Sequence, residues 1–447
     1  MDSATPEKHE RDWTGIALTV AAAWIAFVFV LSAITKVEWL SPSDFDYVTA
    51  MNYHGLMVPL LVMSYLLAGR ILPVETMRGR AFAVLAMLSV VLVGPASLAN
   101  SVPGFSLVSV LQISGMVLAD LLGVVVLVAL IRAASRQRDT EREDAVYWLF
   151  FCAVAGVVST APYAHLAGWG VDIGIRNFPG VSALLNGTGM KPDDLQEALV
   201  TTHSHLIVTA LITALVALVA RMFGYGTLRG WRRRLGLAAV WLVVLSLASV
   251  AVIYAAGTLS GWEPPALLIS GPNSENGIPL DDIALSLCEL GWVILILTSA
   301  GADAERAGNR VLTRAAVLLN VIAGFFGVVA LGLYVELNET FFGGGELPAP
   351  GALNDQAFIR AHLIYPLLVL PILLGFILAT ASDAVPARGA RKWHRVFLWL
   401  SISGMVLGLA GECVWVAYLD QSVLQLAMAL SGAAMIAGAA GLRGGRF

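Results

Sequence analysis

Five histidines stand at the ends of strongly apolar segments: His54, His165, His203, His205 and His362. Neutral imidazole is the commonest metal ligand in proteins and a frequent axial ligand of haem iron. A lone imidazole near an interface needs no such role, because a hydrogen bond to a loop accounts for it. Three of the five, however, share a context. The stretches YHGLMVPLLVMSYLLAG, SHLIVTALITALVALVA and AHLIYPLLVLPILLGFI begin at Tyr53, Ser204 and Ala361, and each places its histidine second. His54 and His205 are 151 positions apart, and His205 and His362 are 157 apart. This spacing predicts three related helices whose histidines share one depth and can converge on a cofactor held between helices. His203 and His205 are separated by about 200° of helical rotation, so they cannot face one centre. The register makes His205 the counterpart of His362. His165, in the stretch A-P-Y-A-H-L, is a further candidate ligand or a donor behind one. His9 and His394 fall in charged stretches where water would satisfy them.

Three acids interrupt apolar segments. Asp120 lies in L-A-D-L-L-G-V and Glu289 in L-C-E-L-G-W-V, at matching places in the same register; Glu412 is the third. A carboxyl inside an apolar span is costly to ionise and is a functional candidate by default. It could serve a proton path or bond to a cofactor, or it could be a satisfied contact between helices. Cys152, Cys288 and Cys413 show no CxxC and no zinc spacing, so they are expected to be small packing residues without a disulfide framework.

Helices must position these groups, and composition identifies their solvent. Of 447 residues, 58% are hydrophobic and only 13% charged. A soluble domain is nearer about half apolar and a quarter charged, so part of the surface must face lipid. A net charge of −4 gives no reason to expect nucleic acid. Residues 1–12 are polar, mixed in charge and unlike a secretory signal, which predicts a cytoplasmic tail.

A spanning helix needs roughly 20 mostly apolar residues. Twelve segments qualify, some of them interrupted by Gly or Pro. They are Trp13–Ile34, His54–Leu72, Phe82–Leu98, Phe105–Ile131, Ala145–Leu166, Ala198–Phe223, Leu235–Ala256, Ile283–Ala300, Val311–Val335, Phe358–Ala381, Val396–Leu419 and Val423–Ala440. The loops holding Arg78 and Arg80, Arg132 to Arg142, Arg229 to Arg234, Arg306 and Arg310, and Arg388 to Arg395 are basic. Those around Asp44, Asp172 to Asp194, Glu263 to Asp282, and Glu336 to Asp355 are poor in Lys and Arg. Basic loops stay in the cytoplasm. The alternation predicts an all-α polytopic membrane domain over 13–447 with both termini cytoplasmic. Trp13, Trp39, Trp148, Trp169 and Trp393 fall near span ends, as an interfacial belt requires. Four helices per histidine give three pseudo-repeats, about 13–144, 145–308 and 309–447. The long outer loops, 168–194 and the one with F-F-G-G-G-E-L-P-A-P-G, are placed to cover the histidines or dock a partner.

Twelve spans, inside termini and histidines opening helices 2, 6 and 10 together resemble subunit I of the haem-copper oxidase superfamily, which includes nitric oxide reductases. The stretch D-Y-V-T-A-M-N-Y-H-G-L-M, ending at Met57, is similar to that family's helix-2 segment, and A-H-L-I-Y at Ala361 to Tyr365 to its helix-10 A-H-x-H-Y. The resemblance is topological over the whole chain and confined to short segments in residues. It implies three four-helix arcs and a haem ligated by His54 near the outer face. The departures are specific. Helix 7 has no histidine, helix 6 reads H-S-H-L-I where the family has H-P-E-V-Y, and Ile364 stands where a second helix-10 histidine is usual. The family's binuclear centre cannot be assembled, so copper at the standard site and proton-pumping oxygen reduction are not expected.

One haem remains, with His54 and His362 as the first choice of axial pair; literal alignment would instead set His362 against His205. Arg360 and Arg176 could pair with haem propionates. The sequence therefore points to a haem-binding, oxidoreductase-like protein of a prokaryotic cytoplasmic membrane, for electron transfer or small-gas chemistry, with a redox partner or second subunit. Two other classes fit the spans: a polytopic transporter or metal-handling permease, and a non-catalytic assembly or sensing subunit on an oxidase-like scaffold.

Overall fold

The computed structural model describes residues 12–35, 47–72, 74–99, 106–136, 144–167, 182–183, 186–187, 189, 191–260, 266–267, 278–300, 310–325, 327, 361, 364–381 and 388–443. The described residues are nearly all helical: α1 (Trp13–Ile34), α2 (Tyr47–Ile71), α3 (Arg80–Ala99), α4 (Ser106–Arg136), α5 (Ala145–His165), α6 (Pro192–Met222), α7 (Gly230–Ser260), α8 (Leu280–Ala300), α9 (Arg310–Phe325), α10 (Tyr365–Ala381), α11 (Arg388–Tyr418) and α12 (Ser422–Arg443). The first turn of α10, Tyr365–Val369, is wound as a π-helix. Two short strands, Ala266–Leu267 and Ile278–Pro279, pair antiparallel in the α7–α8 connection. Ten helices are long and apolar enough to cross a membrane, and α9 and α10 are shorter apolar helices. The chain is a polytopic membrane protein. Backbone polar groups inside lipid must bond within the segment, so helices are what such sequences form.

Packing sorts the helices into two classes. On the outside, α1 packs on α3, α3 on α4, α4 on α5, α5 on α7, α7 on α8, α8 on α9, α9 on α11, α11 on α12, and α12 back on α1. Inside that ring, α2, α6 and α10 pack on one another. Burial agrees. The most apolar stretch of α2 is 83% buried, against 39% for α4 and for α7. Every residue of α10 from Leu370 to Ala381 is buried. Exposed large side chains such as Val91, Leu121, Leu245, Leu297 and Ile436 all lie on ring helices, where lipid is their solvent.

Ion pairs tie helix starts to helix ends at the face opposite the histidines. The Asp12 carboxylate caps α1 by accepting from Gly15 N–H at 3.0 Å, and pairs with Arg70 near the end of α2 at 2.7 Å. Asp144 caps α5 by accepting from Val146 N–H at 3.1 Å, and pairs with Arg221 near the end of α6. Arg78 donates to the carbonyls of Gly69 and Leu72, and Arg80 stacks 4.7 Å above the Trp13 ring.

Two departures from the sequence reading have physical causes. The basic stretches before α7 and α11 are helical from Gly230 and Arg388, not loops. Arg and Lys are good helix formers, and their long stems can carry the charge outward. His394 is therefore on an inner face of α11, 6% exposed and beside Phe397, not solvated. The expected extensions of helix 9 past Phe325 and of helix 10 before Ala361 fall largely outside the described residues. All three cysteines are free thiols.

The inner helices meet closely at Gly375 of α10. A Cβ there would lie 2.9 Å from Leu60 of α2 and 3.6 Å from Leu215 of α6. Gly375→Leu should overpack this junction and cost about 1–3 kcal/mol. A lowered thermal midpoint of purified protein is the expected reading. Gly226→Ala, with open space around its Cβ, should leave the midpoint unchanged.

Candidate functional site

The polar groups of the spans gather toward one end of the bundle. His54 lies in the first half of α2, Asp120 in the first half of α4, His203 and His205 in the first half of α6, and Asp281 in the first turn of α8. His165 ends α5 and Tyr254 lies in the last turns of α7. Even helices contribute from their starts and odd helices from their ends, so successive antiparallel helices bring these groups to one side.

They form two adjoining groups. In the first, the rings of His54 and His203 are nearly parallel, 16° between planes, with centroids 6.1 Å apart. His203 Nδ1 lies 3.3 Å from the Thr160 carbonyl of α5. A carbonyl only accepts, so Nδ1 carries the proton and Nε2 keeps its lone pair. His165 Nε2 lies 3.0 Å from Asp120 Oδ2, and both side chains are about a quarter exposed, at 26% and 27%. His54 and His165 both lie within electrostatic range of His203. The backbone beneath His54 is fixed from two sides. The Gly55 carbonyl accepts from the Trp24 indole N–H at 2.7 Å, and a Cβ on Gly55 would come within 2.9 Å of Ser97 of α3. Only a glycine lets α2 sit this close to α3 with the histidine held beside it.

In the second group, the His205 ring lies parallel to Tyr254 of α7, 5.0 Å between centroids and 20° between planes. Its Nδ1 is 2.9 Å from the Thr201 carbonyl, which again leaves Nε2 as the lone-pair nitrogen. Tyr254 is hydrogen-bonded to Asp281, and Asp281 acts electrostatically on His205. His203 and His205 thus face different neighbours, α2 and α5 for one, α7 and α8 for the other. It is His203, not the register-matched His205, that meets His54.

His362 and Arg360, with Arg176, lie outside the described residues, so the pairs His54–His362 and His205–His362 are not described. Among the described residues, no three or more His, Cys, Asp or Glu side chains are grouped to hold a metal ion. Glu289 and Glu412 are buried, at 6% and 2% exposure, each with a carboxyl oxygen lacking a partner among the described residues. Sequence reasoning missed Tyr254, Asp281 and Thr160. Asp281 was legible only as part of a loop, and a carbonyl acceptor such as Thr160 has no sequence signal at all. Compared with known proteins, the chain matches no family model, no curated protein and no solved structure.

The His165–Asp120 contact should be worth about 1 kcal/mol, because a partly exposed pair is screened. A double-mutant cycle of Asp120→Asn and His165→Gln, read by thermal unfolding, should give a coupling of that size. Additive effects would mean that the two side chains do not support one another.

Proposed function

We propose that this chain is a haem-binding membrane redox protein in which His54 and His203 are the axial ligands of one haem. The observation that carries the reading is their geometry. Two imidazoles bound through nitrogen to one metal, at about 2.0–2.1 Å each, have ring centroids roughly 6 Å apart. The rings here are stacked nearly parallel with centroids 6.1 Å apart, a separation of that order. His203 also has the anchoring that a ligating histidine uses, its other nitrogen bonded to a carbonyl that fixes tautomer and orientation. The ligands belong to two inner helices, and both imidazoles are half-buried.

When bound, the haem would supply reversible one-electron chemistry. The chain's own residues do the rest. Thr160 holds the His203 proton on Nδ1. Asp120 orients His165 beside the pair. In the reading from sequence, His362 is the alternative axial partner of His54, and Arg360 is a propionate partner.

The same reading includes the finer architecture: twelve spans in three four-helix units, about 13–144, 145–308 and 309–447, both ends on the arginine-bearing cytoplasmic side. Its support is that each contact recurs by unit. Inner α2, α6 and α10 each touch the helix before, the helix after and the second helix after. The pairs Asp12–Arg70 and Asp144–Arg221 repeat the same tie, and Arg70 to Arg221 is 151 positions, the His54-to-His205 spacing. Basic loops on one side fit a prokaryotic cytoplasmic membrane, with the opposite loops free to receive a redox partner or second subunit.

The test is an absorption spectrum of protein expressed with haem supply. A Soret band and a reduced-minus-oxidised difference are expected, with haem confirmed by pyridine extraction. His54→Ala and His203→Ala should each abolish the low-spin spectrum while the protein still inserts, and His205→Ala should retain it. Haem-free protein from haem-replete cells would overturn the reading. A spectrum that survives His203→Ala would overturn the pairing.

A further inference from the structure

A second site lies deeper than the histidines. A narrow cleft with about 40 Å³ of internal space opens between α6, α8, α9 and α10. Its walls are mostly apolar, with Ile212 and Val216 of α6 facing Pro366 and Leu370 of α10. Three polar side chains line it: Glu289 and Trp292 of α8 and Asn320 of α9. Two of these have bonds to the protein. Trp292 N–H donates to Thr213 Oγ1 at 3.0 Å, and Asn320 Nδ2 donates to the Leu370 carbonyl at 2.8 Å. Glu289 is different. Its side chain is buried, and Oε2 has no hydrogen-bond partner among the described residues. A buried carboxyl oxygen without a partner costs about 1–3 kcal/mol, which a bonded occupant would return.

The chemistry of the walls narrows the occupant. An acyl chain would fill apolar space but leave Glu289 unmatched. A metal cation would need several oxygens, and the cleft has one carboxylate. A neutral acid at this position offers one O–H donor and one carbonyl acceptor to a molecule that is otherwise apolar. Half-buried Val293 of α8 and Val321 of α9 line the cleft where two outer helices adjoin, so the molecule can enter from the bilayer.

We propose that this cleft binds a membrane-dissolved carbonyl compound of the quinone class, one carbonyl accepting from the Glu289 carboxylic acid. This proposal does not depend on haem at the histidines.

The experiment is equilibrium binding of decylbenzoquinone to the full chain in phospholipid nanodiscs, with decylbenzene as the hydrocarbon control. Saturable binding is expected, with decylbenzene failing to compete. Loss of the hydrogen bond in Glu289→Leu should weaken binding by at least about tenfold. Glu289→Gln, which keeps a donor, should stay within about threefold of the parent. Equal competition by decylbenzene, or unchanged affinity in Glu289→Leu, would overturn the proposal. Should Glu289→Leu fail to insert, the unaltered chain still decides. Decylbenzoquinone should slow labelling of Glu289 by dicyclohexylcarbodiimide, read by peptide mass, and absence of protection would overturn the proposal.

Discussion

Lipid cannot hydrogen-bond, and that constraint arranges the rest of this molecule. Every polar side chain within a span must find its partner in the protein or sit near water. The ring helices meet the condition by turning apolar residues outward. Their polar members turn inward, as Asp120 does to His165 and Trp24 to the Gly55 carbonyl. The three inner helices have no lipid face, so they can carry histidines in their first halves without exposing them to hydrocarbon. The histidines lie where their polarity can be matched, whereas Glu289 and Glu412 each keep a carboxyl oxygen without a partner among the described residues.

Small residues make the arrangement close enough to work. Gly55 lets α2 approach Ser97 of α3, Gly94 admits the Trp24 ring, and Gly375 brings α10 onto Leu60 and Leu215. In a membrane, close backbone approach supplies packing that the hydrophobic effect does not. The same closeness holds His54 and His203 at a fixed distance. A wider α2–α6 contact would separate the rings beyond any shared ligand.

The sequence reading captured the helices well, because apolar runs of roughly 20 residues have few alternatives in lipid. Trp13–Ile34 and the starts of α5 and the ends of α8 and α10 fall at the expected residues. Boundaries drifted where charge was mistaken for loop. Arg232 to Arg234 and Arg391 to Arg395 lie on helix, and His394 turned inward with it. The candidate site was legible in residue type and depth but not in pairing. A repeat register identifies equivalent positions, whereas contact depends on which way each side chain leaves its helix. His205 matches His54 in register yet faces Tyr254, and the neighbouring His203 makes the approach. The arginines of the Asp–Arg ties were also present in the sequence at the same 151-position spacing. They were hidden because basic residues at span ends read only as topology signals.

Those ties bear on the histidines although they lie at the far face. Arg70 follows His54 by sixteen residues, and Arg221 follows His203 by eighteen. At about 1.5 Å per residue, that places the arginines roughly 24 and 27 Å along the helix from their histidines, near the full hydrocarbon thickness. An apolar helix among apolar neighbours has little to stop it sliding, since a one-residue shift exchanges one aliphatic contact for another. Such a shift would move a histidine by about 1.5 Å, enough to spoil a shared ligand position. A charged pair resists it, because sliding would draw a guanidinium or carboxylate toward hydrocarbon. Asp12–Arg70 fixes α2 against α1, and Asp144–Arg221 fixes α6 against α5. With α2 and α6 both pinned at the far face, the depth of His54 relative to His203 is set by helix length. The ion pairs that look like simple interfacial anchors are therefore part of what fixes the two imidazoles in depth relative to one another.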